Sequence, residues 1–400
     1  MASKGVAIWT GVVLAALLPA PAAADAIPAF ARLHHASCSL CHDPIPRLTA
    51  FGEMFAANGY RFAPEQGPPD AIRTGDPLLE LPDRLRLALR LDAYATAYAG
   101  GKPATDFQTP YDLKIISGGP LTEHLSYYVY FLLAERGAVG GIEDAYVTWN
   151  ELAGAPVSVS VGQFQKSDPI FSRELRLEYQ DYAIYGARIG NSTVDLTYDR
   201  GVMVSADLAG FSITGELVNG NGDGPAAANH RFGDGSKSVL GHVSRDVAHG
   251  VTLGALSYLA RQEGAAPGGP TTVNRTWMLG GDARIALDPV ELRGQFIHRE
   301  DGSPTFTLNE PVAVTNGGFA EVLWHRTGTR WYAIGLYNLI HTSGPLLDVG
   351  LGGPAGITRY EAVTGGLGYV LQRNVRTYAE GTWDRELRAT QWTLGMTMAF

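Results

Sequence analysis

The sequence predicts a mainly β chain: an antiparallel transmembrane β-barrel of about 16 strands over residues 83–400, preceded by a small α-helical module. Three observations lead there. From Pro82 to the last residue, apolar positions alternate with polar ones, as on a strand with one apolar face. Segments of about ten residues or longer recur, joined by alternately tight turns and longer Gly/Asn/Pro-rich loops such as Asn219 to Asp234 and Thr342 to Ile357. Aromatic residues stand near segment ends, with Tyr94, Tyr98, Trp277, Trp324, Trp331 and Trp392 as expected girdle positions.

The first element is an export signal. Lys4 gives a short positive start, Val6 to Leu18 is almost wholly apolar, and Ala22-Ala23-Ala24 before Asp25 is a small-residue cleavage site, so residues 1–24 are expected to be removed. A cut after Ala26 fits nearly as well. The apolar run is too short for a membrane helix, and no later run approaches the roughly 20 residues that one needs.

Residues 25–62 form the next unit, and Cys38-Ser39-Leu40-Cys41-His42 lies in it. These are the only two cysteines among 400 residues. A CxxCH box is the attachment pattern of c-type haem: one helical turn places both thiols on one face, where they add to two porphyrin vinyl groups. His42 then supplies the proximal nitrogen to the iron. The expected cofactor is one covalent haem c, bound through Cys38, Cys41 and His42. Three other readings compete. A structural zinc site needs about four ligands, and no second CxxC or His-x-x-His pair completes the set. A thioredoxin-like dithiol needs a βαβ context that the flanks do not show. A disulfide between residues three apart is strained and closes almost no loop.

After the box, Pro46 is placed to open a helix carrying Leu48, Phe51 and Phe55 at helical spacing, with Asn58-Gly59 as its stop. Phe51 and Phe55 pack against a haem face on one reading and form an ordinary helix face against the barrel wall on the other. Residues 63–82 hold Pro64, Pro68, Pro69, Pro77 and Pro82 without periodicity and read as a linker.

The barrel strands follow. Leu85, Leu87, Leu89, Leu91, Ala93, Ala95 and Ala97 alternate with Arg84, Arg86, Arg90, Asp92, Tyr94, Thr96 and Tyr98. Trp277, Leu279, Ala283, Ile285 and Leu287 alternate with Thr276, Asp282 and Arg284; across a turn at Asp288-Pro289, Val290, Leu292 and Phe296 alternate with Glu291, Arg293 and Gln295. The last segment runs Trp392, Leu394, Met396, Met398, Phe400, and its terminal phenylalanine resembles the assembly signal of outer-membrane proteins. The stretch 156–210 is the hardest to divide. Between 14 and 18 segments can be counted, and even strand numbers in single-chain barrels favour about 16, wide enough for an aqueous interior.

Taken together, the signal peptide, the single haem box, the following Pro46-x-Leu48-x-x-Phe51-Gly52-x-x-Phe55-x-x-Asn58-Gly59-Tyr60 and a barrel ending in Phe400 resemble the fused monohaem cytochrome-porins. These are outer-membrane proteins best known as iron oxidases of iron-oxidising bacteria. The resemblance implies electron transfer across the outer membrane, from an extracellular donor such as ferrous iron to a periplasmic electron-transfer protein. Leu125 to Phe131 and Gly162-Gln163-Phe164 also look like phosphate-selective porins, which implies the alternative of a diffusion channel whose haem module is a plug or sensor.

Other chemistry finds no support. No nucleophile elbow, His-Glu-x-x-His or phosphate loop is present, and a formal net charge of -9 argues against nucleic acid. Asn219 to Gly224 imitates the start of a calcium loop, but its twelfth position is His230 rather than Glu, which favours a glycine-rich external loop. For the sixth iron ligand the candidates are Met54, His34 and His35, or a barrel residue or water.

Overall fold

The computed structural model describes residues 29–62, 71–76, 78–84, 86–100, 104–220, 222, 236–350 and 353–400. The signal peptide, Leu85, most of the Asn219–Asp234 loop and the first part of the linker lie outside the described residues.

Sixteen strands close into one antiparallel barrel in which each pairs with its sequence neighbours. They are β1 Leu87–Ala99, β2 Ala104–Pro120, β3 Leu125–Glu135, β4 Gly141–Trp149, β5 Val157–Gln165, β6 Tyr198–Leu208, β7 Phe211–Val218 and β8 Ser238–Ala248. The second half comprises β9 Val251–Ala265, β10 Thr271–Leu287, β11 Val290–Asp301, β12 Ala313–Trp324, β13 Trp331–Thr342, β14 Arg359–Gln372, β15 Val375–Asp384 and β16 Ala389–Ala399. The ring is closed by β16 against β1, with Met398 opposite Leu91 and Thr390 opposite Ala99. Phe400 extends that seam: its N–H donates to the Leu89 carbonyl at 2.9 Å and its own carbonyl accepts from Leu89 at 2.7 Å. Closure satisfies every edge, which is what a strand-built membrane span requires.

The alternation reads out as expected. Leu87, Leu279, Leu292, Phe296 and Leu394 are exposed on the outer wall, whereas Arg86, Asp92, Arg293 and Gln295 are buried inside. Trp149, Trp324 and Trp331 stand out from one rim, Trp383 and Trp392 from the other. Tyr94 and Tyr98 depart from the expected girdle. Tyr94 is buried in the lumen, 4.8 Å from the Tyr111 ring and 4.9 Å from Tyr179, and Tyr98 lines a lumenal cavity together with those two tyrosines. Both share the parity of Arg86, Arg90 and Asp92, so the pleat sends them inward.

Turns at one rim are short (residues 209–210, 249–250, 288–289 and 373–374), and the opposite rim carries the long connections. Outer-membrane barrels keep short turns on the periplasmic side. From the long-loop side, residues 166–197 fold down into the lumen between β5 and β6. They contain a short helix, Ala183–Gly186, and cross to the far wall. There Gln180 meets Gln391 of β16 at 3.1 Å, the Ala183 N–H donates to Asn338 of β13 at 3.1 Å, and Arg299 of β11 donates to the Ala187 and Val194 carbonyls. Ile184, Tyr185, Ile189 and Leu196 bury against Leu256, Tyr258, Met278, Ile297 and Phe319 of the inner wall. Each such side chain withdrawn from water contributes about 1.5–3 kcal/mol, which fixes the segment in place. Cavities of about 660 and 270 Å³, with Tyr111, Tyr179 and Asp181 lining both, remain beside it.

Preceding the barrel come three short helices, α1 Ala29–His34, α2 Cys38–Cys41 and α3 Ala50–Ala57. The sequence placed Pro46 at the start of the last of these. Instead the helix begins at Ala50, because the Thr49 hydroxyl caps it by accepting from the Gly52 N–H at 3.1 Å, and Leu48 lies in the extended run before it, bridged to His42. Within the linker, Ala71–Arg73 and Glu80–Pro82 pair as a small antiparallel hairpin, a regularity too short to leave a periodic signal.

Candidate haem site at the barrel mouth

The helical module sits in the short-turn mouth, held largely by charge. Arg47, 1% exposed, pairs with Glu321 of β12 and lies 3.6 Å from Glu291 of β11. Asp43 meets His325 at 2.9 Å, Glu53 meets Arg284 at 2.7 Å, and the Arg32 guanidinium donates to the Leu87 carbonyl at 2.8 Å. Gly59 adopts φ +65° against β3 and β4, where an added Cβ would stand 2.6 Å from the Asn150 side chain. Only glycine meets both conditions without strain.

Within the module the Cys38–Cys41 turn is capped by Ser37, whose hydroxyl accepts from the Ser39 N–H at 3.3 Å. His42 extends the turn, its N–H donating to the Cys38 carbonyl at 2.8 Å. Its ring Nδ1 lies 2.8 Å from the Pro46 carbonyl. A carbonyl only accepts, so Nδ1 carries the proton and Nε2 keeps its lone pair, which is the usual way a protein orients a metal-ligating histidine. Burial pulls the His42 pKa down, and the carbonyl contacts only partly oppose that. The ring is therefore a neutral nitrogen donor.

Both cysteines are free and half-buried. Burial pushes the Cys38 and Cys41 thiols up, the reverse of the lowered pKa that a reactive dithiol needs. Above them passes α3 at close range: a Cβ on Gly52 would stand 2.3 Å from the Cys41 carbonyl oxygen. Phe55 is buried at the centre of an aromatic cluster, 5.2 Å from Phe30, 5.3 Å from Phe62 and 5.7 Å from His34. Phe51 joins it through Phe62 at 5.8 Å. The cluster continues inward from Phe30 to Tyr60 and from there to Tyr128 on β3, 6.1 Å away.

The three candidates for a sixth ligand are placed differently. His34 packs into the cluster, 4.4 Å from Phe62. Met54 is exposed on the other side of α3, its sulfur accepting from Asn58 at 3.3 Å. His35 is exposed in a left-handed conformation at φ 50°. Among the described residues no three of His, Cys, Asp and Glu converge on a common point. The sequence missed the anchoring acids Glu291 and Glu321, because their partner Arg47 lies more than 240 positions away in the chain. Their inward parity on β11 and β12 was the one available signal.

The ring of sixteen neighbour-paired strands, with a lumenal segment entering from the long-loop side, decides the architecture. The barrel has the fold of an outer-membrane porin. An anion-selective porin from Comamonas acidovorans superposes with a TM-score of 0.57 at 12% identity, covering 79% of this chain and 99% of that one. The loop L8 deletion mutant of OmpT, an outer membrane protein of Vibrio cholerae, gives 0.53 at 12% identity over 79% and 99%. The outer membrane channel DcaP of Acinetobacter baumannii gives 0.52 at 11% identity over 79% and 97%. No family model matches the chain, and no curated protein matches it in sequence. The likeness is one of fold, and with the fold comes an outer-membrane location.

Proposed function

We propose that this porin-fold barrel carries a covalent haem c in its periplasmic mouth and passes electrons from an extracellular donor, such as ferrous iron, to a periplasmic electron-transfer protein. The reading rests chiefly on one observation, the Pro46 carbonyl lock on His42 beside two free thiols on one helical turn. Cys38 and Cys41 would hold the porphyrin edge and His42 Nε2 the iron, and the bound group would supply a one-electron couple. Phe55, Phe30 and Tyr60 exclude water on the lumenal side, while the half-exposed Cys38 and exposed Leu40 leave an edge open towards the periplasm. His34, packed in the aromatic cluster, is favoured as sixth ligand over Met54 and His35.

Mass spectrometry of the protein should show one added haem, absent after Cys38→Ala with Cys41→Ala. Reconstituted in vesicles, the protein should show haem reduction when ferrous iron is supplied on the long-loop side alone. Haem mass retained in the double variant would overturn the attachment. A large solute conductance with no haem reduction would turn the reading into that of a diffusion channel with a plug.

A further inference from the structure

Two of the buried side-chain oxygens that accept no hydrogen bond, Asp144 Oδ1 and the Gln165 amide oxygen, belong to neighbouring residues of the lumen wall. Asp144, on β4 and 2% exposed, turns its carboxylate inward against the Gln165 backbone, and its Oδ1 accepts no hydrogen bond. Gln165, 1% exposed at the end of β5, donates through Nε2 to Asp168 Oδ1 at 2.9 Å and to Ser167 Oγ at 2.8 Å. Its amide oxygen is buried and also accepts nothing. Asp168 itself opens to the lumen. Neither carboxylate is in an ion pair among the described residues; Arg173, a cation that acts on Asp168 through space, is paired with Asp181. Unpaired buried oxygens are strongly disfavoured unless a donor or a cation meets them.

We infer that Asp144, Asp168 and the Gln165 amide oxygen form a lumenal seat for one hard divalent cation, with water completing its coordination. Oxygen donors of this kind suit magnesium- and manganese-like ions, which keep several waters and need only one or two carboxylates. Two carboxylates and an amide are what is present. Asp168 supplies the open side through which the ion enters from the lumen. Both carboxylates act electrostatically on Tyr60, the inner end of the aromatic cluster that packs on α3. The binding is independent of the haem; any role of the seated ion as an electron donor rests on the electron-transfer reading.

The test uses the full-length haem-loaded protein in detergent and manganese(II) alone, followed by loss of the free-ion electron paramagnetic resonance signal. One ion per chain is expected, with at least a tenfold weakening in Asp144→Asn and in Asp168→Asn, and no change in Glu300→Gln on the barrel rim. Anomalous scattering from manganese-soaked wild-type crystals should place the ion between Asp144 and Asp168, so the proposal stands or falls even where a variant fails to insert. A wild type that takes up no manganese, a peak elsewhere, or full binding by a variant combining Asp144→Asn with Asp168→Asn would overturn the seat and leave a proton shared by the two carboxyls as the explanation. Haem is quantified in the same samples. A chain that binds manganese but carries no haem refutes the electron-transfer reading alone, and a haem-loaded chain that ignores manganese refutes the seat alone.

Discussion

Replacing Arg47 by alanine should unlatch the helical module without unfolding the barrel. Arg47 is 1% exposed and its guanidinium is shared between Glu321, itself 3% exposed, and Glu291. Glu321 also accepts from the Tyr182 hydroxyl on the lumenal segment. Glu291 retains Arg293 and Arg284 after the change, but Glu321 loses its only ion pair among the described residues. Removing one member of a buried pair in this way weakens the folded arrangement by about 3–5 kcal/mol, because the remaining charge stays out of water. At about 1.36 kcal/mol per tenfold, the undocked population rises by roughly two to four orders of magnitude. Hydrogen exchange in α3 follows that population when reclosing is fast, so its amides should exchange faster by the same factor. Barrel amides such as those of β13 should not change. Arg47→Met combined with Glu321→Gln removes both charges and should restore most of the protection, since an apolar replacement of a whole buried pair is close to neutral. Unchanged exchange in Arg47→Ala, or a double variant as labile as the single one, would refute the latch.

Three more outcomes rest on the same geometry. Leu279 lies at the centre of the 17-residue β10 and is 57% exposed, so Leu279→Arg should destabilise the inserted barrel by about 2–4 kcal/mol, against roughly 0–1 for Leu287→Arg at the rim, as measured by chemical unfolding in lipid. Equal costs would contradict the membrane depth. If haem is attached as proposed, His34→Ala should shift its visible spectrum and redox midpoint, whereas Met54→Ala and His35→Ala should leave both unchanged; no response to any of the three would assign the sixth position to the barrel or to solvent. Burial opposes protonation of His325, but the Asp43 carboxylate and neighbouring carbonyl outweigh it and raise the pKa. A raised pKa stabilises docking most fully below the unpaired value near 6.5 and loses that contribution as pH rises through the docked value. Exchange in residues 42–48 should therefore quicken between mildly acidic and mildly alkaline pH, and His325→Gln should flatten the profile.

The barrel was legible because its two faces meet different surroundings along every strand. Trp277, Leu279 and Leu287 meet lipid while Thr276, Asp282 and Arg284 meet the lumen, and such a contrast survives in the sequence as period two. The same parity already contained the fate of Tyr94 and Tyr98; an aromatic residue at a segment end suggested a girdle, and in-phase Arg90 and Asp92 argued otherwise. The Cys38–His42 turn was legible because a CxxCH pattern is local, spanning five residues. The contacts that hold it in the mouth were not. Arg47 with Glu321, Glu53 with Arg284 and Asp43 with His325 each join positions more than 230 residues apart, and charge alternation alone cannot say which inward acid meets which base. Residues 166–197 resisted division into strands for a related reason: they pack by irregular contacts on the inner wall and carry neither period.

A barrel occupied from both ends can be made in quantity at little risk to the cell. An open channel of this width admits antibiotics and detergents together with nutrients, so a cell's uptake and its vulnerability rise together with copy number. Here the helical module stands in one mouth and residues 166–197 descend from the other. With the passage so narrowed, each added copy opens less of the envelope than a copy of an unobstructed channel would.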